Sequence, residues 1–149
     1  MSTIKGKNLF TQASIRKRIE EGISEHEHQV KVIQWRDAKR HALPGIHLLH
    51  AIPNGGHRKK RVAAEMQAEG VNAGVSDLSL PVARRGFHGL YIEMKRIGGK
   101  KPTPAQAQFQ ADVIANGYCA RTCYGADQAI ALLEWYYSED ELQQTKKEK

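Results

Sequence analysis

Val75-Ser76-Asp77-Leu78-Ser79-Leu80-Pro81-Val82 and Leu90-Tyr91-Ile92-Glu93-Met94-Lys95 each alternate apolar and polar side chains, as a half-buried strand does. Gly86 and Gly89 lie between them and supply the bend, so the two segments form an antiparallel hairpin. In a strand, side chains two apart share a face, which puts Glu93 and Lys95 together and Met94 on the opposite side. A hairpin turning about Gly86 sets Asp77 opposite Lys95 and Ser79 opposite Glu93, unless a bulge near His88 shifts that register. Asp77, Glu93 and Lys95 then occupy one face. Cross-strand neighbours on a face stand roughly 5 Å apart and diagonal ones ~7–8 Å, close enough for two carboxylates to clasp one cation.

Working outward from the hairpin, Thr103-Pro104-Ala105-Gln106 opens a helix with a capping threonine, a proline at its first position and a glutamine at its third; Gly117 stops it. A strand over 118–123 and a helix from Ala126 to Tyr136 follow. Upstream, Ser24 with Glu27 three residues later is a capping box for a helix running to about Arg40, with Val30, Ile33 and Trp35 as its apolar residues. The apolar run Ile46–Ile52 reads as a buried strand ended by the turn Pro53-Asn54-Gly55-Gly56, and a basic helix spans Arg58 to Glu69. The N-terminal stretch holds a short helix with Ile15 and Ile19 on one face, ending at Gly22. These elements predict an α/β fold: a single domain over 24–137 around a mixed sheet of about four strands flanked by helices, with a basic arm at 1–23 and a polar, disordered tail at 138–149.

Composition narrows the partners. The 149 residues suffice for one domain with a proper core. Lysine and arginine number 23 against 16 acids, giving +7, a balance that favours a polyanion such as nucleic acid. The tail is nearly neutral, with four acids and three lysines, so the positive field belongs to the domain. No window offers the roughly 18 consecutive apolar residues of a membrane span, and MSTIKGKNLFTQ lacks the apolar run of a signal peptide; a cytoplasmic protein without membrane contact is expected. Cys119 and Cys123, four apart in a strand, would sit ~13 Å from each other, too far for a disulfide or a shared metal.

Two carboxylates and a backbone carbonyl suit a hard ion such as Mg²⁺, which takes one or two protein carboxylates and keeps several waters. One of those waters can act as a nucleophile, and the Lys95 ammonium can orient it and offset developing negative charge. The same spacing also describes an ordinary surface ion pair. The histidines do not suggest zinc: His26 and His28 fall on different faces of a helix, and neither C-x-x-C nor H-E-x-x-H occurs. His57 in the Asn54–Arg58 loop, Arg58, Lys59, Lys60 and Arg61, and Lys100 and Lys101 are candidate DNA contacts, as are Arg84 and Arg85. Such contacts position a duplex without reading its sequence.

As an ordered set, SEHEHQ, HAIPNGGHR, AEGVNAGVSDL, GLYIEMK and KPTPAQ resemble the VRR-NUC (virus-type replication-repair nuclease) family of the PD-(D/E)XK nuclease superfamily, over roughly Ser24 to Tyr136. The resemblance implies a restriction-endonuclease-like fold. It implies a metal-dependent, structure-selective DNA endonuclease acting on branched DNA such as four-way junctions or flaps, with Mg²⁺ as cofactor and Mn²⁺ as a substitute. It assigns Glu25, Asp77, Glu93 and Lys95 to catalysis and Glu25, Asp77, Glu93 and the Met94 carbonyl to the metal, with Gln29 and Gln106 near the site. Glu27 competes with Glu25 for the helical carboxylate, and Gln106 serves equally as capping partner of Thr103. Ser76 stands where the superfamily has proline. Resolving a junction takes two cuts, so a symmetric homodimer is expected, with Ile130, Leu133, Trp135 and Tyr136 either at its interface or in the core. A non-catalytic DNA-binding module of a replication or repair assembly and a restriction-type subunit are the alternatives.

Overall fold

The computed structural model describes residues 11–53 and 60–138. The chain runs α1 (Gln12–Glu21), α2 (Glu25–Lys39), β1 (His50–Ala51), α3 (Lys60–Ala68), β2 (Leu78–Leu80), β3 (Leu90–Lys95), α4 (Pro104–Ala115), β4 (Cys119–Tyr124) and α5 (Ala126–Tyr137). The sheet order is β1-β2-β3-β4; β1 and β2, and β2 and β3, pair antiparallel, whereas β3 and β4 pair parallel. This is the mixed four-stranded α/β domain expected from the sequence.

Strand β3 lies inside the sheet and works on both faces. Leu90, Ile92 and Met94 enter the core with Leu78 and Leu80, Cys119 and Cys123, Val32 from α2, and Ala129, Leu133 and Tyr136 from α5. On the other face Tyr91 packs edge-on against Phe109 of α4, ring centroids 5.2 Å apart. Gln110 of α4 donates to the Thr122 hydroxyl of β4 at 2.8 Å. Helix α4 is therefore fixed over the face that carries Glu93 and Lys95.

Four expectations are corrected. The run 46–52 is not one strand: Ile46–Leu48 form a 3₁₀ turn and only His50–Ala51 pair. Ile46 and Leu49 are buried while His47 and Leu48 face out, a helical spacing created where Gly45 turns the chain at φ +80°. The buried residues of α2 are His28 and Val32; Ile33 and Trp35 pack against the core as expected, but Val30 is exposed. Strand β2 is three residues, not eight; it stops after Leu80, where Pro81 has no N–H to continue the ladder.

The hairpin register also differs. Leu78 pairs with Ile92 and Leu80 with Leu90, so continuing the ladder sets Asp77 opposite Glu93 rather than Lys95. The tip is a tight turn closed by Arg84 and Phe87, with Arg85 and Gly86 both at positive φ, 51° and 81°, the signature of a two-residue turn matched to strand twist. An extra residue is absorbed at 81–83, where Val82 N–H bonds back to the Leu80 carbonyl at 2.9 Å. The partner of Glu93 moves by two residues, an even step that leaves every side chain on its expected face.

Helix α5 starts at Gly125 without a side-chain cap of its own. Buried His28 supplies one from α2: its Nδ1 accepts the Ala126 N–H at 3.1 Å, which puts the ring proton on Nε2. Replacing His28 with alanine strips a buried N–H of its acceptor and leaves a void. We expect a loss of ~1–3 kcal/mol, measured by urea denaturation; an unchanged midpoint would show that the cap contributes nothing.

Candidate active site

Glu93 is the most buried acidic side chain among the described residues, 2% exposed. One oxygen, Oε1, accepts from Gln106 Nε2 at 2.6 Å and lies 3.3 Å from Lys95 Nζ. The other, Oε2, is buried with no hydrogen-bond partner among the described residues. Asp77 holds its place through the main chain: its Oδ2 accepts the Met94 N–H at 2.7 Å, and its own carbonyl accepts the Ile52 N–H at 2.8 Å. The carbonyls of Gly89 and Lys95 point toward β4, accepting from Cys119 and Gly125. Met94 is out of phase with both, so its carbonyl leaves the strand on the Asp77 side.

The electrostatics follow from this packing. Burial, then repulsion from the Asp77 carboxylate, pushes Glu93 up to about 7, against the pull of Lys95. Burial likewise raises Asp77, offset by the Met94 N–H and Lys95. Two carboxyl groups that resist ionisation side by side, one with an unpartnered oxygen, form a site whose repulsion a cation would relieve.

Gln106 performs both tasks proposed for it. Its backbone N–H donates to the Thr103 hydroxyl at 3.3 Å and its Oε1 accepts the Thr103 N–H at 2.9 Å, completing the capping box of α4. The same Oε1 accepts from Lys95 Nζ at 3.2 Å while Nε2 holds Glu93. The helix comes this close because Gly74, at φ +85°, abuts the Ala105 carbonyl, where any Cβ would collide.

On α2 the two glutamates separate. Glu27 Oε2 accepts from the Ser24 N–H at 2.8 Å and its hydroxyl at 2.7 Å, and those bonds hold its carboxyl below the usual range. Glu25 instead lines the cavity that contains Asp77, Glu93, Lys95 and Gln106. Among the described residues no three His, Cys, Asp or Glu side chains converge closely enough to hold a metal. The close donor set is Asp77, Glu93 and the Met94 carbonyl, which fits an ion content with two carboxylates, and Glu25 stands across the cavity. Gln29 is half-buried but does not line that cavity. Buried Ser76 points no partner at its hydroxyl among the described residues.

The basic residues divide. His57, Arg58 and Lys59, and the side chain of Lys60, lie outside the described residues. Arg61 is exposed and paired with Glu65 at 3.2 Å, and Lys100 and Lys101 are exposed ahead of α4. Arg84 and Arg85 are engaged elsewhere: each guanidinium lies 4.4 Å from a ring centroid, Tyr137 and Trp135 respectively, and Arg85 also bonds Ser138. Of the four α5 residues considered for an interface, Leu133 and Tyr136 are fully buried in the core, Ile130 is half-buried and Trp135 is exposed. Sequence reasoning missed the cavity wall formed by α3 and the 71–75 turn; its signal was the pair of glycines in AEGVNAGVSDL, which force a turn against the next helix.

The site thus combines an acidic hairpin, a half-buried lysine and a glutamine-capped helix in an α/β domain. No family model and no curated protein matches the chain. A solved structure described as a "VRR_NUC domain protein" matches with a TM-score of 0.66 and 34% sequence identity, over 77% of this chain and 88% of that one. The chain belongs to the VRR-NUC family.

In metal-free protein the raised Glu93 makes the folded state bind a proton that the unfolded state, with an ordinary value of 4.5, releases earlier. Stability is therefore greatest below about 4.5 on this account and is lost as pH rises through about 7. The expected loss is on the order of 3 kcal/mol. Denaturant titrations of wild type and Glu93→Gln across that window test it; parallel curves for the two would remove Glu93 as the cause.

Proposed function

We propose that this protein is a Mg²⁺-dependent DNA endonuclease, selective for branched structures such as four-way junctions or flaps, with Mn²⁺ able to substitute. The observation that carries this reading is the buried Glu93 oxygen left without a partner beside Asp77, within reach of a lysine held in place by Gln106. Asp77, Glu93 and the Met94 carbonyl would hold the ion, with Glu25 facing it from α2. When bound, a divalent cation polarises a phosphodiester and lowers the pKa of water at neutral pH.

The chain's own groups do the rest. Lys95, its side chain 12% exposed, places a positive charge where negative charge grows on the phosphate. Gln106 holds Lys95 and Glu93 at a set separation, so neither has to reorganise during the reaction. The exposed cations Arg61, Lys100 and Lys101, with His57, Arg58, Lys59 and Lys60, supply phosphate contacts that position DNA without reading its sequence, which favours selection by shape. Residues 1–23 are a basic arm to the nuclease domain of 24–137, and 138–149 a polar tail.

Cleavage of junction, flap, duplex and single-stranded DNA with and without Mg²⁺ tests the reading. Asp77→Ala, Glu93→Ala and Lys95→Ala should each lower turnover by roughly 100-fold or more, with DNA affinity in gel-shift assays little changed. Binding without any metal-stimulated cleavage would favour a non-catalytic module; cutting that depends on one sequence motif would favour a restriction-type subunit.

The active species is a symmetric homodimer, since two sites related by a two-fold axis suit a two-fold junction. The exposed apolar side chains Ile15 and Ile19 on α1 and Val30 on α2 offer it a surface, as does Trp135 on α5. Mixed dimers of wild-type and Asp77→Ala chains should nick a junction without resolving it. A monomer by light scattering that still resolves junctions would end this part of the proposal.

A further inference from the structure

The acidic group occupies only one end of its cavity. The whole space is about 460 Å³, within the range of pockets that enclose a small molecule, ~300–1,000 Å³, and far more than one hydrated cation needs. Its far wall comes from α3 and the turn that follows. Met66 and Val71 give that wall an apolar surface, and Val75 extends it toward Asp77. Gln67 and Asn72 add two carboxamides, each offering a donor pair and an acceptor. Apolar faces with carboxamides at the margin, continuous with the end where Lys95 and a cation held by Asp77 and Glu93 would meet a phosphate, match one nucleotide: phosphate at that end, sugar and base along α3. In a base pair the hydrogen-bonding edge of each base is taken up by its partner and the faces by the stack, whereas a nucleotide freed from the duplex has both its edge and its faces to offer.

We propose that the α3 wall is a subsite for one unpaired nucleotide next to the phosphate being cut. The inference rests on the nuclease reading and gives it a physical selector: the chain prefers DNA in which a nucleotide beside the cleavage point has left the helix. Met66, Val71, Gln67 and Asn72 then determine specificity, and they act through the base and sugar rather than on the reacting atoms.

Binding tests the subsite without requiring cleavage. Full-length protein in Mg²⁺ buffer is titrated with thymidine 5′-monophosphate and with deoxyribose 5-phosphate, which carries the same phosphate and no base, so attraction or repulsion at the acidic end cancels in the ratio. The nucleotide should bind at least about tenfold tighter, the scale of one base contact. Ala63→Trp, which fills the cavity from an exposed position of α3, should bring that ratio close to one. Met66→Ala, which enlarges it, should lower the ratio and serves if the tryptophan variant does not fold by circular dichroism. Equal affinities in wild type, or an unchanged ratio in the folded variants, would overturn the proposal. In a second arm, wild type should cut a site flanked by an unpaired nucleotide at least about tenfold faster than the same site fully paired. If wild type cuts neither, the nuclease reading fails while the binding ratio still decides the subsite; if it cuts both equally, the subsite proposal fails alone.

Discussion

Everything at this site depends on the cost of keeping one carboxylate out of water. Glu93 is carried into the protein because β3 must alternate: three of its side chains build the core, and the residues between them face α4. An isolated buried carboxylate would take up a proton rather than stay charged. Here Gln106 and Lys95 compensate one oxygen, and the other has no hydrogen-bond partner among the described residues. That incomplete compensation makes the arrangement a poor structural ion pair and a good place for a cation. A fully satisfied Glu93–Lys95 pair would stabilise the fold and leave nothing to recruit an ion.

The surrounding architecture serves that imbalance. Gly74 lets α4 approach, the Thr103 cap fixes the first turn of α4, and Gln106 carries the rigidity of that turn to Glu93 and Lys95. On the other face, His28 ties α2 to the start of α5, holding the two helices that cover the core side of β3. The site therefore draws its precision from helix ends and a central strand instead of from loops, where geometry is looser.

Much of this was legible in the sequence because it rests on period and punctuation. Alternation located β2 and β3, Ser24 with Glu27 and Thr103 with Gln106 marked two helix starts that the structure reproduces as capping boxes, and the shared face of Asp77, Glu93 and Lys95 survived an incorrect register because the slip was even. What failed depends on three-dimensional neighbours. The Ile46–Ile52 run is apolar enough for a strand, but Leu49 gives its carbonyl to Arg36 rather than to a ladder. The residues Leu133 and Tyr136 looked surplus on α5 only because the depth of the core around β4 cannot be counted from one helix. The cavity wall was invisible for a similar reason: Met66, Val71 and Asn72 acquire meaning only once the 71–75 turn folds back beside Asp77.

The two cysteines extend this account to the chemistry of the protein as a material. Cys119 and Cys123 face the core from β4, neither is in a disulfide, and burial pushes the Cys123 thiol up to about 11. Thiolates react and thiols do not, so in the folded state this pair is shielded from oxidants and alkylating reagents by both inaccessibility and protonation. Their reactivity is thereby tied to the separation of β4 from α5. The protein carries, in its own sheet, a chemical clock for the opening of its core.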